Sequence, residues 1–122
     1  MVKVAVYGTL REGFHNNYLL GKDRVFLGEA SGNFPSVMYS AGGFPKLDLS
    51  KDFGLPPVEV EIYEVPEDIF LGNLDALEGY PDWYDRSEKE FTLKSGGTVT
   101  AWVYHQEVEG LPIVQTNDWG NK

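Results

Sequence analysis

The chain contains no cysteine. Disulfides, thiolate catalysis and cysteine-based zinc sites are therefore excluded outright, and the absence fits a reducing cytosol. Basic residues are few: 10 Lys and Arg stand against 19 Asp and Glu, for a net charge of −9. Phosphate backbones require a basic surface, and the scattered lysines and arginines form no patch, which argues against nucleic acid as a partner. The same deficit argues against anionic membranes. No apolar run is long enough to span a bilayer, and the N-terminus shows no signal peptide, so a cytoplasmic protein is expected. Histidine is limited to His15 and His105, far apart and without metal-ligand spacing. Neither a Gly-x-Ser-x-Gly elbow, a phosphate-loop lysine motif nor a dinucleotide fingerprint occurs. No metal and no cofactor is expected.

What is present suffices for a core. The 122 residues are 42% hydrophobic and 14% aromatic, which suits one domain spanning residues 1–122. Val2 to Tyr7 reads as a buried strand. Asn16 or Asn17 can cap a short helix through Leu20, ended by Gly21. Arg24 to Ala30 reads as a second strand. Residues 31–57 are rich in Gly, Pro and Ser, with aromatics at Phe34, Tyr39, Phe44 and Phe53 and short strand character near Val37 to Tyr39. A long irregular stretch of this kind is either a functional loop or a surface loop closing over a core edge. From Val58 to Val65 apolar residues alternate with Glu59, Glu61 and Glu64, as in a half-buried strand with its acids in solvent. Pro66-Glu67-Asp68 opens a helix. Phe70, Leu74 and Leu77 make its apolar stripe, and Gly79 and Pro81 stop it. Glu88 to Lys94 and Val99 to His105 form a hairpin around Ser95-Gly96-Gly97. Trp119 in the tail folds back as an apolar lid. Several sequential strands with one good helix predict an α+β fold: a small mixed β-barrel with one main helix packed against it.

Two segments carry the candidate chemistry. Tyr7-Gly8-Thr9-Leu10-Arg11 follows the first strand. Gly8 allows a sharp turn, after which successive N–H groups free of any ladder form an anion-binding concavity. An ordinary strand-ending turn has the same composition. Glu78 sits in the last turn of the helix, where the dipole disfavours a carboxylate by about 0.3–1 kcal/mol. Asp75, three residues earlier, pushes in the same direction. A misplaced acid of this kind is either a solvated surface residue or a base with raised proton affinity. Tyr7 and Tyr84 are pocket or packing residues. Arg86 suits a structural ion pair, and Arg11 a solvated position at the pocket rim.

The ordered landmarks resemble the γ-glutamylcyclotransferase-like family, in its short branch of γ-glutamylamine cyclotransferase-like and AIG2-like proteins. They are Tyr7-Gly8-Thr9-Leu10-Arg11, Phe44-Pro45 with Leu47, Glu61-Ile62-Tyr63-Glu64-Val65, Leu74-Asp75-Ala76-Leu77-Glu78-Gly79-Tyr80-Pro81, Tyr84-x-Arg86 and Ala101-Trp102-Val103-Tyr104. The family often has Gly where this chain has Val60, a departure that bears on backbone packing more than on chemistry. The resemblance implies the barrel fold and Glu78 as catalytic acid/base. It also implies substrate binding by the loop of Tyr7, Gly8, Thr9 and Leu10, with Tyr84 bonding the substrate carboxylate or Glu78. The implied reaction is intramolecular. The α-amine of a small γ-glutamyl substrate attacks its own γ-carbonyl, releasing 5-oxoproline and the free amine. The alternative of a different class is a non-catalytic module of the same fold that binds a γ-glutamyl-like or other small anion. The irregular region from Ser31 to Pro57 is expected to shape the leaving-amine side, and its aromatics suggest an apolar or aliphatic group.

Overall fold

The computed structural model describes residues 1–122. Val2–Val6 forms strand β1 and Val25–Gly32 forms β2. Val37–Ser40 and Pro45–Asp48 are β3 and β4, and Glu59–Val65 is β5. Asp85–Leu93 and Thr98–His105 are β6 and β7. Strands β1, β5, β2, β6 and β7 close into a barrel in that order. All its pairings are antiparallel except β1 with β7, which run parallel through Val4 and Trp102. Closure leaves no free sheet edge, and the mixed barrel matches the sequence expectation. The inward residues of β5, Val60 and Ile62, meet Ala5, Ala30, Phe91 and Val103 in one core. A second cluster, with Val4, Val6, Tyr63 and Val65, packs under the helix through Phe70 and Leu74.

The irregular region of residues 31–57 contains more order than its composition suggests. β3 and β4 pair as a separate two-stranded sheet, with Tyr39 opposite Lys46. The C-terminal tail fastens this sheet to the barrel. Asn117 is fully buried and its side-chain amide donates to the carbonyls of Ser36 and Pro56. Its Oδ1 accepts from Met38 N–H at 2.8 Å. Trp119 is buried in the barrel core rather than resting on it as a lid.

The helix departs from a regular α-helix in a way that matters for the site. It is α-helical over Glu67–Ile69, π-helical over Phe70–Leu74 and α-helical again over Asp75–Glu78. The Asp75 N–H bonds back to the Phe70 carbonyl, five residues earlier. A wider turn holds an extra residue and rotates everything that follows. The expected stripe of Phe70, Leu74 and Leu77 is therefore corrected. Phe70 and Leu74 are buried, but Leu77 is 40% exposed, and Asp75 takes the inward position. No helix is long and apolar enough to cross a membrane.

Candidate active site

A cavity of about 720 Å³ opens where β1 ends, the helix ends and β4 passes by. Its deep wall holds the buried Tyr7, Leu10, Tyr84 and Tyr104. All six residues singled out from the sequence line it: Tyr7, Gly8, Thr9, Leu10, Glu78 and Tyr84.

Glu78 owes its position to the helix end. Gly79 is left-handed, at φ 65° and ψ 34°, a conformation that costs glycine little. The N–H of Gly79 bonds to the Ala76 carbonyl and that of Tyr80 to the Asp75 carbonyl, a Schellman closure. The chain then doubles back, and Trp83 N–H bonds to the Gly79 carbonyl at 2.8 Å. A Cβ on Gly79 would lie 3.1 Å from that of Trp83, so glycine is required on two counts. With the turn sealed by the backbone, the Glu78 carboxyl is left half-buried in the cavity wall, with no hydrogen bond or ion pair to the protein. Burial without a partner penalises the charged form and pushes it up from 4.5 to about 7. Tyr7 and Tyr84 titrate higher than usual, first because they are buried and then because Glu78 lies nearby.

The cause of that elevation differs from the one expected. Asp75 does not act on Glu78. Its carboxylate is turned into the protein, where it accepts from Arg86 Nε at 3.0 Å and Nη2 at 3.3 Å. It also accepts from the Tyr104 hydroxyl at 2.5 Å. The Arg86 guanidinium stacks on the rings of Phe70, Tyr80 and Trp102, within 4.1–4.8 Å of their centroids. Asp75 thus belongs to a neutralised anchor beneath the helix end. Tyr104, part of that anchor, also reaches the cavity and accepts at its backbone carbonyl from the Tyr7 hydroxyl at 2.8 Å.

The loop after β1 offers the complementary half of the site. The N–H groups of Gly8, Thr9 and Leu10 have no acceptor in the protein, while Arg11 N–H closes a turn onto the Gly8 carbonyl at 3.0 Å. Three successive amides without protein acceptors, on a loop that lines the cavity, are the composition of an anion-binding concavity. The reason for Gly8 is not unusual torsion angles, since its φ is not positive. It is contact: a Cβ there would come within 2.6 Å of Pro45 Cγ and 2.8 Å of Cδ. Pro45, from β4, therefore packs directly on the cradle.

Two further expectations are corrected. Arg11 is not solvated. Its Nη1 donates to Asp118 Oδ1 at 2.9 Å, and its Nε lies 3.5 Å from Glu61 Oε2. Glu61 does not face solvent. It is buried and accepts from Glu12 N–H at 2.8 Å and from the Tyr63 hydroxyl at 3.0 Å. Together these two residues brace the cradle loop against β5 and the tail. Strand alternation concealed Glu61 because the loop after β1, through Arg11 and Glu12, covers that face of β5.

Sequence reasoning missed several lining residues, chiefly His15, Asn16, Lys46, Leu77, Trp83 and Gln106. Of the aromatics in residues 31–57, only Phe44 reaches the cavity. Phe34 packs edge-on against Phe91 and Tyr39 joins a separate small core. No set of three His, Asp or Glu side chains is arranged to hold a metal ion.

The model of the family described as gamma-glutamyl cyclotransferase, AIG2-like, matches residues 4–121. A protein of Methanocaldococcus jannaschii named "putative gamma-glutamylcyclotransferase" is 32% identical over 119 residues, 98% of this chain and 96% of that one. The gamma-L-glutamyl-butirosin B gamma-glutamyl cyclotransferase of Niallia circulans is 32% identical over 125 residues, 98% of this chain and 76% of that protein. The crystal structure of an AIG2-like protein from Mus musculus superposes with a TM-score of 0.76 at 27% identity, covering 94% of this chain and 86% of the other.

Proposed function

This chain belongs to the gamma-glutamyl cyclotransferase, AIG2-like family, and from that premise we propose that it converts a γ-glutamyl amine or γ-glutamyl amino acid to 5-oxoproline and the free amine, with Glu78 as general acid/base. The observation that carries the reading is a carboxyl held near neutrality, without a protein partner, in the same cavity as three unpaired amides.

The chemistry needs no protein nucleophile. The substrate's α-nitrogen bonds to its own γ-carbonyl carbon, and the bond from that carbon to the leaving nitrogen breaks. The α-ammonium begins with three protons and the lactam nitrogen keeps one. The two it sheds reappear on the leaving nitrogen, which departs as an ammonium. A carboxyl titrating at about 7 is half ionised at neutral pH, so one residue can accept each proton and return it. The amides of Gly8, Thr9 and Leu10 are suited to the oxyanion or to the substrate carboxylate, because preorganised donors in a partly dry site need no reorganisation. The cavity's further task is to hold the substrate folded, as well-oriented intramolecular attack gains up to about 7–11 kcal/mol. Tyr84 and Tyr7 remain protonated at any working pH and serve as donors or walls, not as bases.

The rival reading, a non-catalytic anion binder, is disfavoured by the placement of Glu78, because an unpaired acid in the pocket only repels an anion. The test is release of 5-oxoproline from a panel of γ-glutamyl amides and dipeptides. Glu78→Gln is expected to lower turnover by about 10²–10⁴-fold while 5-oxoproline binding survives. A protein that is thermally stabilised by these ligands yet releases nothing is a binder.

A further inference from the structure

The cavity has two characters. Its floor, with Tyr7, Tyr84, Glu78 and the free amides, is where a γ-glutamyl group must react. Its mouth is apolar and open: Phe44 is 44% exposed, Leu77 40% and Trp83 80%, although all three line the same cavity. Leu77 and Trp83 also border a second groove, of about 530 Å³, which continues outside the cavity along the helix surface past Leu71 and Ala76. A large indole left in water gains nothing from burial. Trp83 is fixed at the mouth through its backbone: its main-chain N–H donates to the Gly79 carbonyl, in the turn that also positions Glu78.

We propose that Trp83, with Leu77 and Phe44, is the specificity-determining subsite for the leaving amine, and that it selects amines carrying an extended alkyl or aryl chain. This rests on the cyclotransferase reading above. Because the γ-glutamyl end is committed to the floor, the leaving nitrogen points outward, and whatever it carries crosses the mouth. A chain lying over Leu77 and against the indole removes apolar surface from water on both partners. The groove beyond gives a longer chain room to continue. An open mouth covers only part of each methylene, so the gain is roughly twofold per added CH₂, below the value for full burial.

The experiment compares kcat/KM for γ-glutamyl methylamide, n-butylamide and phenethylamide, and for γ-glutamylphenylalanine, which differs from the phenethylamide only by a carboxylate. The native protein is expected to improve about tenfold from methyl to butyl, through KM, and further with phenethyl. Trp83→Ala is expected to flatten the series, Trp83→Phe to restore most of it, and both to melt near the native temperature, since neither alters the backbone bond to Gly79. A flat series in the native protein, or an unchanged gradient in a folded Trp83→Ala, overturns the proposal. So does a preference for γ-glutamylphenylalanine over the phenethylamide that disappears in Lys46→Met, because the selector is then a cation reading a carboxylate. Absence of turnover on every compound overturns the cyclotransferase reading, and the subsite with it.

Discussion

Glu78→Gln is expected to make the protein more stable while disabling it, and the gain is expected to depend on pH. Raising a carboxyl from 4.5 to about 7 corresponds to about 3 kcal/mol between its charge states. The sign follows from linkage. Below pH 4.5 the group is protonated both folded and unfolded and contributes no difference. Between 4.5 and 7 the unfolded chain ionises freely while the folded one cannot, so native stability falls as pH rises. Above 7 both states are ionised and the full penalty is present. Glutamine carries no charge and escapes it. Water still reaches part of this half-buried side chain, which reduces the advantage to about 2 kcal/mol. For a chain of this size that is roughly 6–10 °C in Tm. Melting of both proteins at pH 4, 5.5, 7 and 8.5 tests this. The expected gap is near zero at pH 4, grows through the middle of the range and is level above pH 7.5. A gap of constant size, or a less stable glutamine variant at pH 8, refutes burial as the cause of the raised affinity. The rate profile of the active protein should carry an acidic limb in kcat/KM centred near 7 rather than near 4.5.

Three further perturbations separate cradle, anchor and tail. Gly8→Ala places a Cβ 2.6 Å from Pro45 Cγ and should cost about 1–3 kcal/mol by overpacking; Pro45→Ala in the same protein should recover much of it, and additive losses in a double-mutant cycle of melting would deny the contact. Asp75→Asn leaves the Arg86 guanidinium without its carboxylate and should destabilise by about 3–5 kcal/mol. Its acidic limb should stay where it was, because burial raises Glu78, whereas a downward move of that limb would show that the Asp75 charge contributes. Asn117→Ala leaves Met38 N–H and the carbonyls of Ser36 and Pro56 unpaired, at about 1–3 kcal/mol each. Denaturant unfolding should then show a loss of several kcal/mol, and a loss below one would mean that water replaces the amide.

The architecture was legible because barrel strands announce themselves locally. Val2 to Val6, the alternation into Val65 and the hairpin around Gly96 and Gly97 each specify an element through short-range periodicity and turn chemistry, and closure follows from burying their faces. Glu78 was legible as an anomaly, an acid at a helix end that prefers a base. So was the loop after Tyr7, whose glycine and following residues mark a break in the ladder. Periodicity failed at Phe70–Leu74, where one wide turn moved Asp75 inward and Leu77 outward. Nothing in the local sequence marks such a turn, because tertiary packing of Phe70, Leu74 and the Asp75–Arg86 pair selects it. The same holds for the requirement at Gly8, which is set by Pro45, 37 residues away in sequence, and for Glu61, which reads as a surface acid until Arg11 and the amide of Glu12 are folded onto it. Short-range patterning thus specifies which elements form and which residue types are available for chemistry. Which of them face one cavity, and what raises the proton affinity of Glu78, emerge on folding, because both depend on long-range packing that excludes water, and no local pattern encodes that.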